Sequence, residues 1–155
     1  MPFQITALDA ETFAPFFHMT DDELAGRRAV RMVADAHPGY PCRVSLADAE
    51  VGEELILVNY DHQPAESPYR AAHAVFVRKA ARQASLSPGE VPEQLRSRTL
   101  SLRAFDANGM IVTADLVDGE ALAPALGRLL ADPAAAYVHI HFAKYGCYAA
   151  RADRA

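Results

Sequence analysis

The sequence lacks the features that would assign it to several broad classes of protein. It has no tryptophan and only two cysteines in 155 residues. Because two cysteines form at most one disulfide, a disulfide framework is excluded as the source of its stability. No apolar run approaches the roughly 18 residues that a membrane span needs. The first six residues have neither the basic nor the apolar segment of a secretion signal. We therefore predict a soluble cytoplasmic protein with no membrane partner.

Lysine is also scarce, because 13 of the 15 basic residues are arginine. The net charge of −5 lacks the basic excess that nucleic-acid binding requires, so we predict no nucleic-acid partner. Abundant alanine, arginine and proline are typical of a GC-rich bacterial genome, which explains the arginine excess without a functional role. We expect a bacterial source.

What remains is the composition of an ordinary globular chain, with 51% hydrophobic and 23% charged residues. No repeat, linker or shift in composition divides it, so we predict one domain over residues 1–155. The leucines within residues 121–131 lie on one helical face and predict a clear helix there. Asn108-Gly109 predicts a tight hairpin turn. Apolar runs typical of strands cover residues 3–8, 28–34, 54–60, 74–78, 99–106, 110–116, 137–142 and 147–153.

These strands follow one another through short turns, so the predicted sheet is largely antiparallel. We expect an α+β fold with one sheet of about seven or eight strands, which can curl, and a few short helices besides the clear one. Asp9 and Thr20 are placed to cap two of these short helices, and Ser45 is placed to start a one-turn helix that ends at Gly52.

The densest group of polar and aromatic residues lies at residues 139–151. On a strand, His139 and His141 share one face with Cα atoms about 6.5–7 Å apart, and Cys147 on the next strand is a candidate third metal ligand. Two histidines are only half a site. The pattern therefore favours ordinary histidines on a half-exposed strand face over a metal centre.

Two other segments contain candidate reactive groups. The Cys42 thiol stands beside Arg43 and just before the predicted short helix, and both features favour the thiolate. Small, buried structural cysteines are the commoner case. Asp61 and His62 are an adjacent acid and base, but neighbouring residues of a strand point to opposite faces, which favours a solvated loop.

Three segments together resemble a known family. They are Gly39-Tyr40-Pro41-Cys42-Arg43, then Ser67-Pro68-Tyr69 with Val75-Phe76-Val77, and Leu129 to Pro133 running into Val138-His139 and Gly146-Cys147-Tyr148. The chain resembles the bacterial domain-of-unknown-function family 1203 from about residue 25 to the end. The resemblance implies a small stand-alone bacterial protein and no known activity.

The family pattern often has a second cysteine where this chain has Ser45, and an Arg-Asn pair where it has His141-Phe142. The resemblance therefore implies that a Cys-x-x-Cys site is not intact here and that the paired histidines are particular to this chain.

Several functions remain open. The preferred hypothesis is a module that binds a small polar or anionic ligand, with a pocket formed by Arg43, Tyr69, His139, Tyr148 and Arg151. The first alternative is an enzyme with Cys42 or Cys147 as nucleophile and His139 as base. The others are a metal site at His139 and His141, and a scaffold or interaction protein, for instance a homodimer formed through a sheet edge. Neither the cofactor nor the question of enzymatic activity follows from the sequence.

Overall fold

The computed structural model describes residues 1–155 and contains eight strands and four α-helices. This content confirms the predicted α+β class. None of the four helices has the length and apolar character that crossing a membrane requires. The strands are β1 (Phe3–Thr6), β2 (Ala29–Val33), β3 (Glu54–Gln63), β4 (Ala71–Arg78), β5 (Thr99–Phe105), β6 (Ile111–Asp118), β7 (Tyr137–Phe142) and β8 (Tyr148–Arg154), and the helices are α1 (Ala10–Phe13), α2 (Asp21–Gly26), α3 (Glu93–Arg96) and α4 (Leu122–Ala131).

The strands form two open sheets, whereas the sequence analysis predicted one. The larger sheet has the order β1-β8-β7-β5-β6, and the smaller has the order β2-β3-β4. Every pair in the larger sheet is antiparallel. The smaller sheet joins three consecutive strands, while β1 pairs with the last strand of the chain. Pairing between strands this far apart in the chain depends on tertiary structure, and no local sequence pattern encodes which strands share a sheet.

The chain divides into two compact units. The first comprises residues 1–6, 61–72 and 85–155, and the second comprises residues 7–60 and 73–84. Each unit is assembled from separate segments of the chain, and the single-domain assignment stays a prediction.

The first unit contains the larger sheet and helix α4. Strand residues with even numbers in β5 and β7, such as Leu102 and Ile140, are fully buried. Helix α4 contacts these strands and buries Leu122, Leu126 and Leu130, so its predicted apolar face covers one side of the sheet. The opposite side carries the odd-numbered residues, which include His139 and His141.

The predicted hairpin at Asn108-Gly109 is confirmed, and it connects β5 to β6. Gly109 has a φ of +76°, and a Cβ atom there would clash with the Cβ of Ala65. The Ser67 hydroxyl donates a hydrogen bond to the carbonyl of Gly109 at 2.8 Å. The glycine therefore permits the turn and also the close approach of the segment that follows β3.

The second unit contains β2, most of β3 and β4, and the helices α1 and α2. Its core is apolar and includes Phe13, Leu24, Ile56 and Val75. Asp9 caps α1 by accepting the backbone N–H of Glu11. Thr20 forms the predicted capping box with Glu23 at the start of α2.

The prediction of a helix that begins at Ser45 is wrong, because the chain forms turns and bends between residues 43 and 52. Leu46 adopts a φ of +52° there, outside the right-handed helical region.

Candidate metal centre

Three buried histidines come together on the odd-numbered face of the larger sheet. His139 and His141 lie on β7, and His62 lies one residue before the end of β3. Their exposed fractions are 4%, 1% and 9%. One nitrogen from each ring can be chosen so that all three atoms lie within 4.8 Å of one another. A tetrahedral zinc ion with Zn–N distances of 2.0–2.1 Å needs nitrogens about 3.3 Å apart, which small rotations of the rings would supply.

A bulge in the sheet organises the residues around these rings. His141 pairs with Tyr148 across the β7–β8 register, but His139 pairs with Arg151, and the register shifts between Ile140 and His141. In a regular strand, Tyr148 and Arg151 would point to opposite faces because their separation is odd. The bulge places both beside the histidines, on the same face.

The environment of His139 keeps its imidazole neutral. Burial is the main cause that lowers its pKa from 6.5 to about 3, and the nearby His141, His62, Arg151 and Arg103 lower it further. A neutral imidazole is the form that binds a metal ion. The Nδ1 atom of His139 is also buried without a hydrogen-bond partner. A buried polar atom without a partner is destabilising, and a metal ion bound at that nitrogen would remove the penalty.

The hydrogen bond of His141 fixes which nitrogen can bind a metal. Nδ1 of His141 lies 3.0 Å from the carbonyl oxygen of Gly146. A carbonyl oxygen can only accept, so Nδ1 carries the proton, and the lone pair of the neutral ring is on Nε2. Metal-ligating histidines commonly donate their second N–H to a backbone carbonyl in this way, which orients the ring.

Tyr148 contacts all three imidazole rings. Its ring is stacked on His62 at a centroid distance of 5.4 Å and an interplanar angle of 10°. It meets His139 and His141 edge to face, at 5.2 and 5.9 Å. With an exposed fraction of 4%, this ring is part of the buried packing that orients the histidines.

Two further aromatic rings pack against His139. Phe105 and Tyr137 lie 5.0 and 5.1 Å from its ring. The side-chain amide of Gln63 donates to the hydroxyl of Tyr137 at 2.9 Å. Since Gln63 directly follows His62, this hydrogen bond connects the end of β3 to β7 and helps to place His62 beside the other two histidines.

Two arginines flank His139 in the sheet register, Arg103 on β5 and Arg151 on β8. Arg151 makes a bidentate ion pair with Asp153 at 2.7 and 2.8 Å, and this carboxylate raises its pKa. Its guanidinium also stacks over Tyr137 at 4.1 Å. The pKa of Arg103 is instead lowered, and burial is the only cause. No carboxylate raises this pKa as Asp153 raises that of Arg151.

The structure corrects two details of the sequence-based metal hypothesis. The face carrying His139 and His141 is buried rather than half-exposed. The third imidazole comes from His62, and Cys147 is not part of the group. The sequence pattern indicates His62 only as a partner for Asp61. Its position at a strand end was visible in the sequence, but its proximity to β7 depends on tertiary structure.

The residues predicted for an anionic ligand lie in both units. The first unit contains Tyr69, His139, Tyr148 and Arg151. The rings of Tyr69 and Phe105 pack edge to face, with their centroids 6.2 Å apart. Arg43 belongs to the second unit, is 1% exposed, and donates to the carbonyl of Pro41 at 2.6 Å.

Neither candidate nucleophile is on the surface. Cys42 is fully buried in the second unit, and Cys147 is 7% exposed in the first. Because Cys42 precedes a turn, the helix N-terminus expected to favour its thiolate does not exist. Its sulfur instead accepts the backbone N–H groups of Ser45 and Arg78, each at 3.4 Å. A cysteine-dependent enzyme stays a prediction.

Residues 39–154 match a family described as "Protein of unknown function (DUF1203)". The match confirms the resemblance drawn from the sequence, although it begins at residue 39 rather than near residue 25. No curated protein and no solved structure matches the chain.

Proposed function

Because the chain belongs to the DUF1203 family, which has no assigned function, we propose a function from the geometry of the site: the protein binds one divalent transition-metal ion through His62, His139 and His141. The observation that carries the proposal is the set of three imidazole nitrogens within 4.8 Å of one another in a buried site.

The chemistry of the ligands favours zinc. Three neutral imidazoles suit zinc, copper, nickel and iron(II), whereas calcium and magnesium prefer oxygen ligands. Zinc accepts a tetrahedral arrangement with no further electronic preference. The group contains no thiolate, so a site that depends on soft sulfur ligands is not expected here.

Three protein ligands leave one tetrahedral position for a molecule from solution. Structural zinc sites use four protein ligands, whereas catalytic zinc sites have three and keep the fourth position for water or substrate. Three histidines therefore favour a centre that binds an exogenous ligand over a purely structural one. This arrangement agrees with the sequence-based hypothesis of a site for a small polar or anionic ligand.

Calorimetric titration of the chelator-treated protein with zinc tests the proposal. We expect binding of one equivalent of zinc. In His62→Phe the ring stacked on Tyr148 is kept but the ligand nitrogen is lost, and in His141→Asn an N–H remains for Gly146 but Nε2 is lost. Each variant should bind zinc at least about 100-fold more weakly, since loss of an outer-shell partner alone typically costs 10–100-fold.

The matched control is His73→Gln, because His73 is an exposed histidine outside the group. It should bind zinc as the wild type does. Equal zinc affinity in the wild type and both ligand variants would contradict the proposal, as would an absence of zinc binding to folded wild-type protein.

Several expectations from the sequence remain proposals of the same kind. We expect a bacterial cytoplasmic protein with no nucleic-acid partner, and we retain a homodimer formed through a sheet edge as a proposal. The acidic net charge supports the expectation about nucleic acid.

A further inference from the structure

The proposed metal centre would carry a net positive charge in a buried location. All three protein ligands are neutral imidazoles, so a divalent ion would keep its full charge of +2. The nearest strand neighbours of His139 add arginines and no unpaired carboxylate, since Asp153 is already paired with Arg151. A net charge in a protein interior is unfavourable unless an opposite charge accompanies it. The fourth ligand is therefore expected to be an anion.

Arg103 is the cation available to such an anion. It lies directly opposite His139 in the β5–β7 register and opposite Ala114 on its other side. Directly opposed residues on antiparallel strands have Cβ atoms about 4.5–5.5 Å apart and point to the same face. Neither neighbour has a carboxylate, and Arg103 is half-buried.

The ligand class follows from the two groups that would hold it. A metal ion binds one oxygen of an oxyanion, and a guanidinium binds carboxylates and phosphates through two parallel N–H groups. On the basis of the proposed metal centre, we propose that its exogenous ligand is a small oxyanion that bridges the metal ion and the guanidinium of Arg103. Carboxylate, bicarbonate and phosphate share this chemistry, and the experiment separates them.

Cobalt(II) provides the probe, because it takes the place of zinc and its visible absorption depends on the ligands bound. Cobalt-loaded protein is titrated separately with acetate, bicarbonate and phosphate. We expect at least one of them to change the spectrum saturably, and the tightest of the three identifies the class. Arg103→Gln should weaken that anion at least tenfold while still binding one equivalent of cobalt.

Two further variants separate the role of the guanidinium from that of charge in general. Arg103→Lys keeps the charge without the fork and should fall between wild type and Arg103→Gln. Arg128→Gln removes an arginine that is paired with Asp115, and it should leave the affinity for the anion unchanged.

The possible failures are distinguishable. If folded wild-type protein takes up no cobalt, the metal centre fails and the anion proposal fails with it. If cobalt binds but none of the three anions alters the spectrum, only the anion proposal is overturned. It is also overturned if Arg103→Gln binds the anion as tightly as the wild type. If Arg103→Gln does not fold, Arg103→Lys provides the same comparison.

Discussion

The metal-free protein should lose stability between pH 7 and pH 5 because His139 is buried as a neutral imidazole. Burial and the neighbouring cations lower its pKa to about 3 in the folded state, compared with 6.5 for an ordinary histidine. The unfolded chain therefore binds a proton as the pH falls below 6.5, while the folded chain does not. Protonation favours unfolding, so the stabilising contribution present near pH 7 is lost progressively as the pH falls from 6.5 towards 3.

The size of this effect follows from the two pKa values. At pH 5 the unfolded imidazole is almost fully protonated and the folded one is not. The linkage relation then gives a loss of about 2 kcal/mol in the free energy of unfolding between pH 7 and pH 5 from His139 alone. A loss of this size is a large part of the stability of a typical domain.

Urea unfolding in the presence of a chelator, at pH 7, 6 and 5, measures this loss. His139→Phe keeps an aromatic ring beside Tyr148 but cannot be protonated. Its free energy of unfolding should therefore fall by about 2 kcal/mol less than that of the wild type over this range. The exposed-histidine control His73→Gln should follow the wild type. An equal fall in the wild type and His139→Phe would refute the assignment of a neutral, proton-excluding His139.

Three further predictions concern the metal and the fold. Zinc at 100 times its dissociation constant should raise the free energy of unfolding by about 2.7 kcal/mol, and a chelator should reverse the increase. An unchanged urea midpoint would count against zinc binding to the folded state. Gly109→Ala should destabilise the protein by about 1–3 kcal/mol more than Gly89→Ala. Both glycines have positive φ, but only at Gly109 would the added Cβ clash with Ala65. Equal urea midpoints for the two variants would show that this clash is relieved without loss of stability. Thr20→Ala should cost about 1 kcal/mol in thermal or urea unfolding, because it removes the capping box with Glu23, and an unchanged value would mean that α2 adds little to global stability.

Local patterns predicted the secondary structure around the site. The alternation in residues 137–142 correctly placed His139 and His141 together on one face of β7. The leucines of α4 and the Asn108-Gly109 turn were also predictable, because each depends on residues close together in the chain. Such signals determine the identity of an element and which of its faces is apolar.

The composition of the histidine group was not predictable in the same way. His62 reaches β7 through the hydrogen bond between Gln63 and Tyr137, which joins segments far apart in the sequence. Tyr148 and Arg151 share a face only because of a β-bulge, and the sequence of residues 148–151 does not predict one. His62 and Tyr69, from a distant segment of the chain, cover part of the odd-numbered face. The sequence therefore indicated half-exposed histidines where the structure has buried ones.

Anomalous X-ray diffraction from crystals of the zinc-loaded protein shows directly whether His62, His139 and His141 hold one transition-metal ion. We expect one strong anomalous peak at 2.0–2.1 Å, the usual zinc–nitrogen distance, from one nitrogen of each of the three rings. A peak elsewhere, for example on the sulfur of Cys147, would show that the three histidines are not the metal site.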